Sequence, residues 1–206
     1  MIQTETFQPP KRRRGRAFSL SLFLAAGGGL MQQCAPMPTA APATYATVVV
    51  GDSITADAKD ELATQKDIYV DGIWGRGIDS NAGGHTFPTL RTAVAAAAKK
   101  VKPQGWLVIQ DDGGEGVTTP EFVKYVTDLL PDDRCLAWVS PSNDTTGAAW
   151  LADSQAAVTA GLLDQPCNAY IDWYTVSHEQ GVLHDGLHAN QDGQWLYNHL
   201  IWTTVR

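Results

Sequence analysis

Two short segments carry side chains that together can do covalent acyl chemistry. Gly51-Asp52-Ser53-Ile54 follows the β-branched run at 46–50, and Asp185-Gly186-Leu187-His188 lies close to the C-terminal end. A serine hydroxyl is a weak nucleophile until a base takes its proton, and an imidazole serves as that base when a third group holds its ring. Ser53, His188 and Asp185 are those three parts. Each alone has an ordinary reading. Serine is a common helix cap, Asp-Gly is a common turn, and most histidines simply bond to their surroundings. The combination of a serine at a strand-to-helix turn with a late Asp-x-x-His points to a nucleophilic hydrolase.

The elements that must position these residues alternate along the chain. Apolar, strand-like runs occur at 46–50, 68–70, 106–109, 136–138 and 169–173. Helical spacing is found at 56–65, 87–101, 120–130, 146–163 and 191–203. The second helical stretch holds the strong helix former Val94-Ala95-Ala96-Ala97-Ala98, and Pro120 suits the first turn of the third. Five strands alternating with five helices predict an α/β fold, a three-layer α/β/α sandwich around a five-stranded parallel sheet. In such sheets, sites form outside the carboxyl ends of the strands. Ser53 follows the first strand, Gly75 the second, and a Gly/Asp cluster from Asp111 to Gly114 the third. Asp185 and His188 fall between the fifth strand and the last helix.

Composition fits one exported domain. The 206 residues are 44% hydrophobic and 18% charged, as a folded core requires. Residues 1–34 read as a signal or leader segment, with Lys11, Arg12, Arg13, Arg14 and Arg16 ahead of an apolar run at 17–31 too short for a membrane span. Cys34 is a candidate lipid-attachment cysteine, although Gln32 and Gln33 stand where small residues are preferred. Residues 35–44 form a Pro/Ala-rich linker and 45–206 the domain. The net charge is -7, and the basic leader hides part of an acidic body, which disfavours nucleic acid. The expected location is secreted, periplasmic or cell-envelope associated, touching a membrane only through an N-terminal anchor or lipid. In such a compartment Cys135 and Cys167 can pair; the alternative is two buried thiols.

The chain resembles the SGNH hydrolases, also called GDSL esterases, and most closely the SGNH domains associated with O-acetyltransferases of peptidoglycan and polysaccharide. The first block is Val48-Val49-Val50-Gly51-Asp52-Ser53-Ile54-Thr55. The second is Tyr69-Val70-Asp71-Gly72-Ile73-Trp74-Gly75-Arg76. Ile171-Asp172-Trp173-Tyr174 resembles the run at the fifth strand, and Asp185-Gly186-Leu187-His188 the last block. The resemblance implies a flavodoxin-like sheet, Ser53 as nucleophile, His188 as base and Asp185 as its orienter. It also implies an oxyanion hole from the backbone N–H groups of Ser53 and Gly75. The expected activity is hydrolysis of short, acetyl-type esters on a carbohydrate or cell-envelope glycan. Alternatives are an O-acyltransferase and a non-catalytic glycan-binding module on a degenerate scaffold.

The third block departs from the family, which usually places an asparagine there. This chain reads Gln110-Asp111-Asp112-Gly113-Gly114-Glu115. An ionised aspartate cannot donate to an oxyanion. Three outcomes are open: backbone N–H groups of Gly113 or Gly114 replace the amide, Asp111 or Asp112 is held protonated, or the enzyme is slow or specialised. The adjacent glycines favour the first. Asp111, Asp112 and Trp74 are candidate substrate contacts, and Arg76 is expected to brace its loop through a carboxylate such as Asp71 or Asp172. His184 and His188 are four apart, but Gly186 intervenes and no third ligand stands out. No metal and no cofactor is expected.

Overall fold

The computed structural model describes residues 43–111, 118–142, 148–162 and 167–206. The leader, Cys34 and most of the linker lie outside them, as do Asp112, Gly113 and Gly114. Five strands, β1 (Tyr45–Gly51), β2 (Ile68–Gly72), β3 (Val101–Gln110), β4 (Cys135–Val139) and β5 (Ala169–Ile171), form one parallel sheet in the order β2-β1-β3-β4-β5. This is the flavodoxin-like order, in which the chain reverses direction of travel at β1 and β3.

Helices cover both faces. Val48, Val50, Leu107, Ile109, Leu136 and Trp138 point to α2 (Leu90–Ala98), α3 (Pro120–Leu129) and α4 (Ala148–Leu162). The alternate residues Val49, Val108, Ala137 and Val139 pack against α1 (Ser53–Leu62), α5 (Trp173–Glu179) and α6 (Gln191–Thr204). Because side chains alternate across a strand, both sets are apolar only when both faces are covered. That is why the central strands read as continuous apolar runs. Among the described residues no helix is long and apolar enough to cross a membrane.

Several boundaries differ from expectation: β3 begins at Val101, inside the stretch read as helix, and two other differences bear on the site. The first helix begins at Ser53 rather than at residue 56, because the Asp52 carboxylate accepts the Ile54 N–H at 3.2 Å and caps it. The fifth strand stops at Ile171. Asp172 then caps a sixth helix, α5, by accepting the Thr175 N–H at 3.1 Å. Trp173 therefore enters the core from a helix rather than from a strand, fully buried and edge-on to Tyr197. Cys135 and Cys167 are joined as a disulfide that ties the start of β4 to the approach of β5.

Candidate active site

Ser53 is the first residue of α1, immediately beyond the carboxyl end of β1. The turn is tight. A Cβ on Gly51 would lie 2.2 Å from Thr55 Oγ1, so only glycine allows α1 to start this close to the strand. Its N-terminal position puts the Ser53 N–H at the positive end of the helix.

His188 arrives from the far end of the chain. The turn between α5 and α6 is pinned by a Leu183–Ala189 bridge, by the His184 N–H donating to the His188 carbonyl at 2.9 Å, and by Ser142 Oγ donating to the Leu187 carbonyl at 2.7 Å. Asp185 Oδ1 accepts the backbone N–H groups of His188 at 2.6 Å and Leu187 at 3.0 Å, and Oδ2 takes His188 Nδ1 at 2.7 Å. With Nδ1–H donating to the carboxylate, the lone pair of Nε2 faces Ser53 Oγ at 3.2 Å. The arrangement can move a proton from the hydroxyl to the ring and stabilise the resulting imidazolium. Burial acts to raise the Asp185 carboxyl, but the hydrogen bonds from the His188 ring and from the His188 and Leu187 N–H groups outweigh it. They hold Asp185 well below the usual carboxylate range.

The loop after β2 closes the other side. Gly75 takes φ +71°, a left-handed conformation that glycine adopts without strain. Arg76, with only 2% of its surface exposed, fixes this loop. Its guanidinium donates to the Gly51 carbonyl at 3.1 Å, the Asp71 carbonyl at 2.8 Å and Asp71 Oδ1 at 2.8 Å. The expected carboxylate partner is thus Asp71, not Asp172. Trp74 is 53% exposed, and its indole stacks on His188 with ring centroids 4.6 Å apart.

Asp111 follows β3 at its carboxyl end. It is buried and accepts a hydrogen bond from Thr118 Oγ1 at 2.8 Å, so it faces inward. Asp112, Gly113 and Gly114 fall outside the described residues.

Sequence reasoning missed two residues. Gln110, fully buried, accepts the Asp52 N–H at 3.4 Å and the Thr55 hydroxyl at 3.2 Å. Thr55 in turn meets the buried Tyr197 hydroxyl at 3.0 Å. Burial pushes the Tyr197 phenol far above its ordinary range, so it stays a donor. The signal was a polar residue closing an apolar strand. Asp57 stands one helical turn after Ser53; burial raises its carboxyl, partly offset by His188 and His184, with Asp185 adding to the rise.

No protein-family model and no curated protein sequence matches the chain. Solved structures do. The C-terminal catalytic domain of peptidoglycan O-acetyltransferase A from Streptococcus pneumoniae superposes with a TM-score of 0.58 at 20% identity, covering 79% of this chain and 92% of that one. A carbohydrate acetylesterase from Sinorhizobium meliloti gives 0.51 at 12% identity over 75% of this chain and 95% of that one. A family two carbohydrate esterase from Clostridium thermocellum, solved in complex with cellohexaose, gives 0.52 at 16% identity over 80% and 65%. These likenesses show a shared fold, the three-layer α/β/α sandwich around a five-stranded parallel sheet.

Proposed function

We propose that this protein is an exported serine esterase that removes short acyl groups, acetate foremost, from a carbohydrate or cell-envelope glycan. The observation that carries the reading is the hydrogen-bonded relay Asp185–His188–Ser53, which joins residues 135 positions apart in the chain. In the first half-reaction His188 takes the Ser53 proton, Oγ attacks the ester carbonyl, and the alcohol leaves with that proton. Water, deprotonated by the same ring, then releases the acid from Ser53. The N–H groups of Ser53 and Gly75 are the oxyanion donors. The Gly75 N–H has no protein acceptor among the described residues, and Arg76 holds its loop against the Ser53 turn. Gly113 and Gly114 remain the proposed further donors in place of the family's asparagine.

The acetyl-glycan assignment draws on the neighbouring structures, an acetyltransferase domain and two carbohydrate esterases. The exposed Trp74 face beside His188 suits a sugar ring as the alcohol portion. The Cys135–Cys167 disulfide suits an oxidising compartment. The test is hydrolysis of p-nitrophenyl acetate and butyrate by the full chain and by Ser53→Ala. Acetate-preferring activity that disappears in the variant supports the reading. Equal rates for the two proteins would overturn it in favour of a non-catalytic glycan-binding module.

A further inference from the structure

The turn that carries the base also carries a side chain the proposed reaction does not use. His184 is 56% exposed, and its ring lies over that of His188 with centroids 5.9 Å apart and planes 22° apart. His184 Nδ1 is 3.8 Å from Asp185 Oδ2, and His188 Nδ1 is 2.7 Å from that same oxygen. One donor atom from each of the three residues falls within 4.8 Å of the others. The backbone sets this spacing, through the His184–His188 hydrogen bond and the Leu183–Ala189 bridge. Replacing the His184 side chain would therefore leave the turn in place.

Two imidazoles and one carboxylate with an open fourth position are a donor set suited to Zn²⁺. Tetrahedral bonds of about 2.0–2.2 Å put neighbouring donors about 3.3–3.5 Å apart. The 3.8 Å and 2.7 Å separations bracket that value, and rotation of the exposed His184 and Asp185 side chains about the partly buried His188 would bring them to it.

We propose that His184, Asp185 and His188 form a reversible Zn²⁺ site whose occupancy switches off the Ser53 reaction. The switching half of this inference rests on the reading of His188 as the base. A metal at His188 Nδ1 displaces the proton held there, and the neutral ring then carries its single proton on Nε2. That nitrogen donates toward Ser53 instead of accepting from it, and the serine proton has nowhere to go. Asp185 is drawn to the metal and no longer orients the ring. Inhibition thus follows from the tautomer, without the ion touching substrate.

The test uses the full chain, His184→Ala and His184→Gln, in a non-chelating buffer near neutral pH. Zinc chloride is titrated by calorimetry and, in parallel, into p-nitrophenyl acetate hydrolysis. The wild type is expected to bind one ion with a dissociation constant on the order of micromolar. Its rate should fall at least about tenfold and return on adding EDTA. Both variants should keep the basal rate and need at least about tenfold more zinc for binding and for inhibition. Ser53→Ala should bind zinc like the wild type. Absence of binding at about 1 mM, or variants inhibited at the wild-type concentration, would overturn the site. Binding without loss of rate would overturn the switch. If the chain hydrolyses no ester, the esterase reading fails, and calorimetry on the His184 variants still decides the metal site.

Discussion

Trp74 lies flat against His188, with ring centroids 4.6 Å apart and planes inclined by 29°. This contact restrains the imidazole on the face that neither Asp185 nor Ser53 touches. Stacked aromatic pairs contribute about 0.5–1.5 kcal/mol beyond their buried area. Trp74→Ala is expected to lower kcat/KM for p-nitrophenyl acetate by roughly 3- to 10-fold, chiefly through kcat, because a looser ring spends less time aimed at Ser53. Trp74→Phe should recover most of it. With an acetylated oligosaccharide the alanine variant should also raise KM, since the exposed indole face is lost. Equal KM for both proteins on the glycan would remove Trp74 from sugar recognition.

Asp185 accepts three hydrogen bonds, and only one of them comes from the ring it orients. Asp185→Asn keeps the shape but presents an amide to His188, favouring the wrong tautomer, so kcat should drop by roughly 10²–10⁴-fold. The same bonds make a statement about pH. The carboxyl is held below its unfolded value, so its stabilising contribution is present above about pH 4. That contribution is lost only as the pH falls through the depressed native value. Asp185 therefore stays ionised across the whole range in which an imidazole base titrates. The acid limb of kcat/KM should show a single ionisation, with slope 1, to which Asp185 contributes nothing. A limb of slope 2 would mean that Asp185 titrates alongside it.

Arg76 joins two strand ends that the chemistry needs held together. Its buried guanidinium spans the Gly51 carbonyl before the Ser53 turn and Asp71 ahead of Gly75. Arg76→Ala would leave the Asp71 carboxylate and two carbonyls short of a partner, a loss of about 3–5 kcal/mol. Arg76→Lys offers one point charge in place of a planar fork and cannot reach all three acceptors in the same geometry. Thermal unfolding should show both variants destabilised, with lysine intermediate. The lysine variant's kcat should fall further than its KM changes, since the oxyanion loop moves relative to the nucleophile. Unchanged kcat in a folded lysine variant would show that the clamp serves stability alone.

The residues differ in how plainly they announced this arrangement. The sheet was legible because each central strand is apolar on both sides, and a chain makes that pattern only where helices cover both faces. Ser53, Asp185 and His188 were legible because their types are scarce in combination and fall where strand ends meet. That Arg76 braces its loop through a carboxylate was legible, but the choice between Asp71 and Asp172 came only from the structure. The sixth helix was hidden because Trp173 and Tyr174 are strand-forming types, and only the carboxylate of Asp172 turned the backbone into a helix. Gln110 was hidden because its partners, Asp52, Thr55 and Tyr197, lie on three other segments of the chain.

The Cys135–Cys167 disulfide gives a last, independent check, because it closes a chain separation of 32 residues at the β4–β5 edge of the sheet. A loop of that length, held shut in the unfolded chain, stabilises the native state by about 3–4 kcal/mol in the chain-entropy account. For a domain of this size each kcal/mol moves the midpoint by about 2–4 °C. Reduction, or Cys135→Ala with Cys167→Ala, should therefore lower Tm by about 6–16 °C. The relay of Asp185, His188 and Ser53 lies on other elements, so kcat/KM at 20 °C should stay within about twofold of the oxidised protein. Calorimetric unfolding and ester hydrolysis, measured with and without reductant on one sample, read both quantities together. An unchanged Tm would mean that the cross-link adds nothing to the fold. A large fall in activity with Tm intact would mean that the β4–β5 edge helps to place the turn carrying His188.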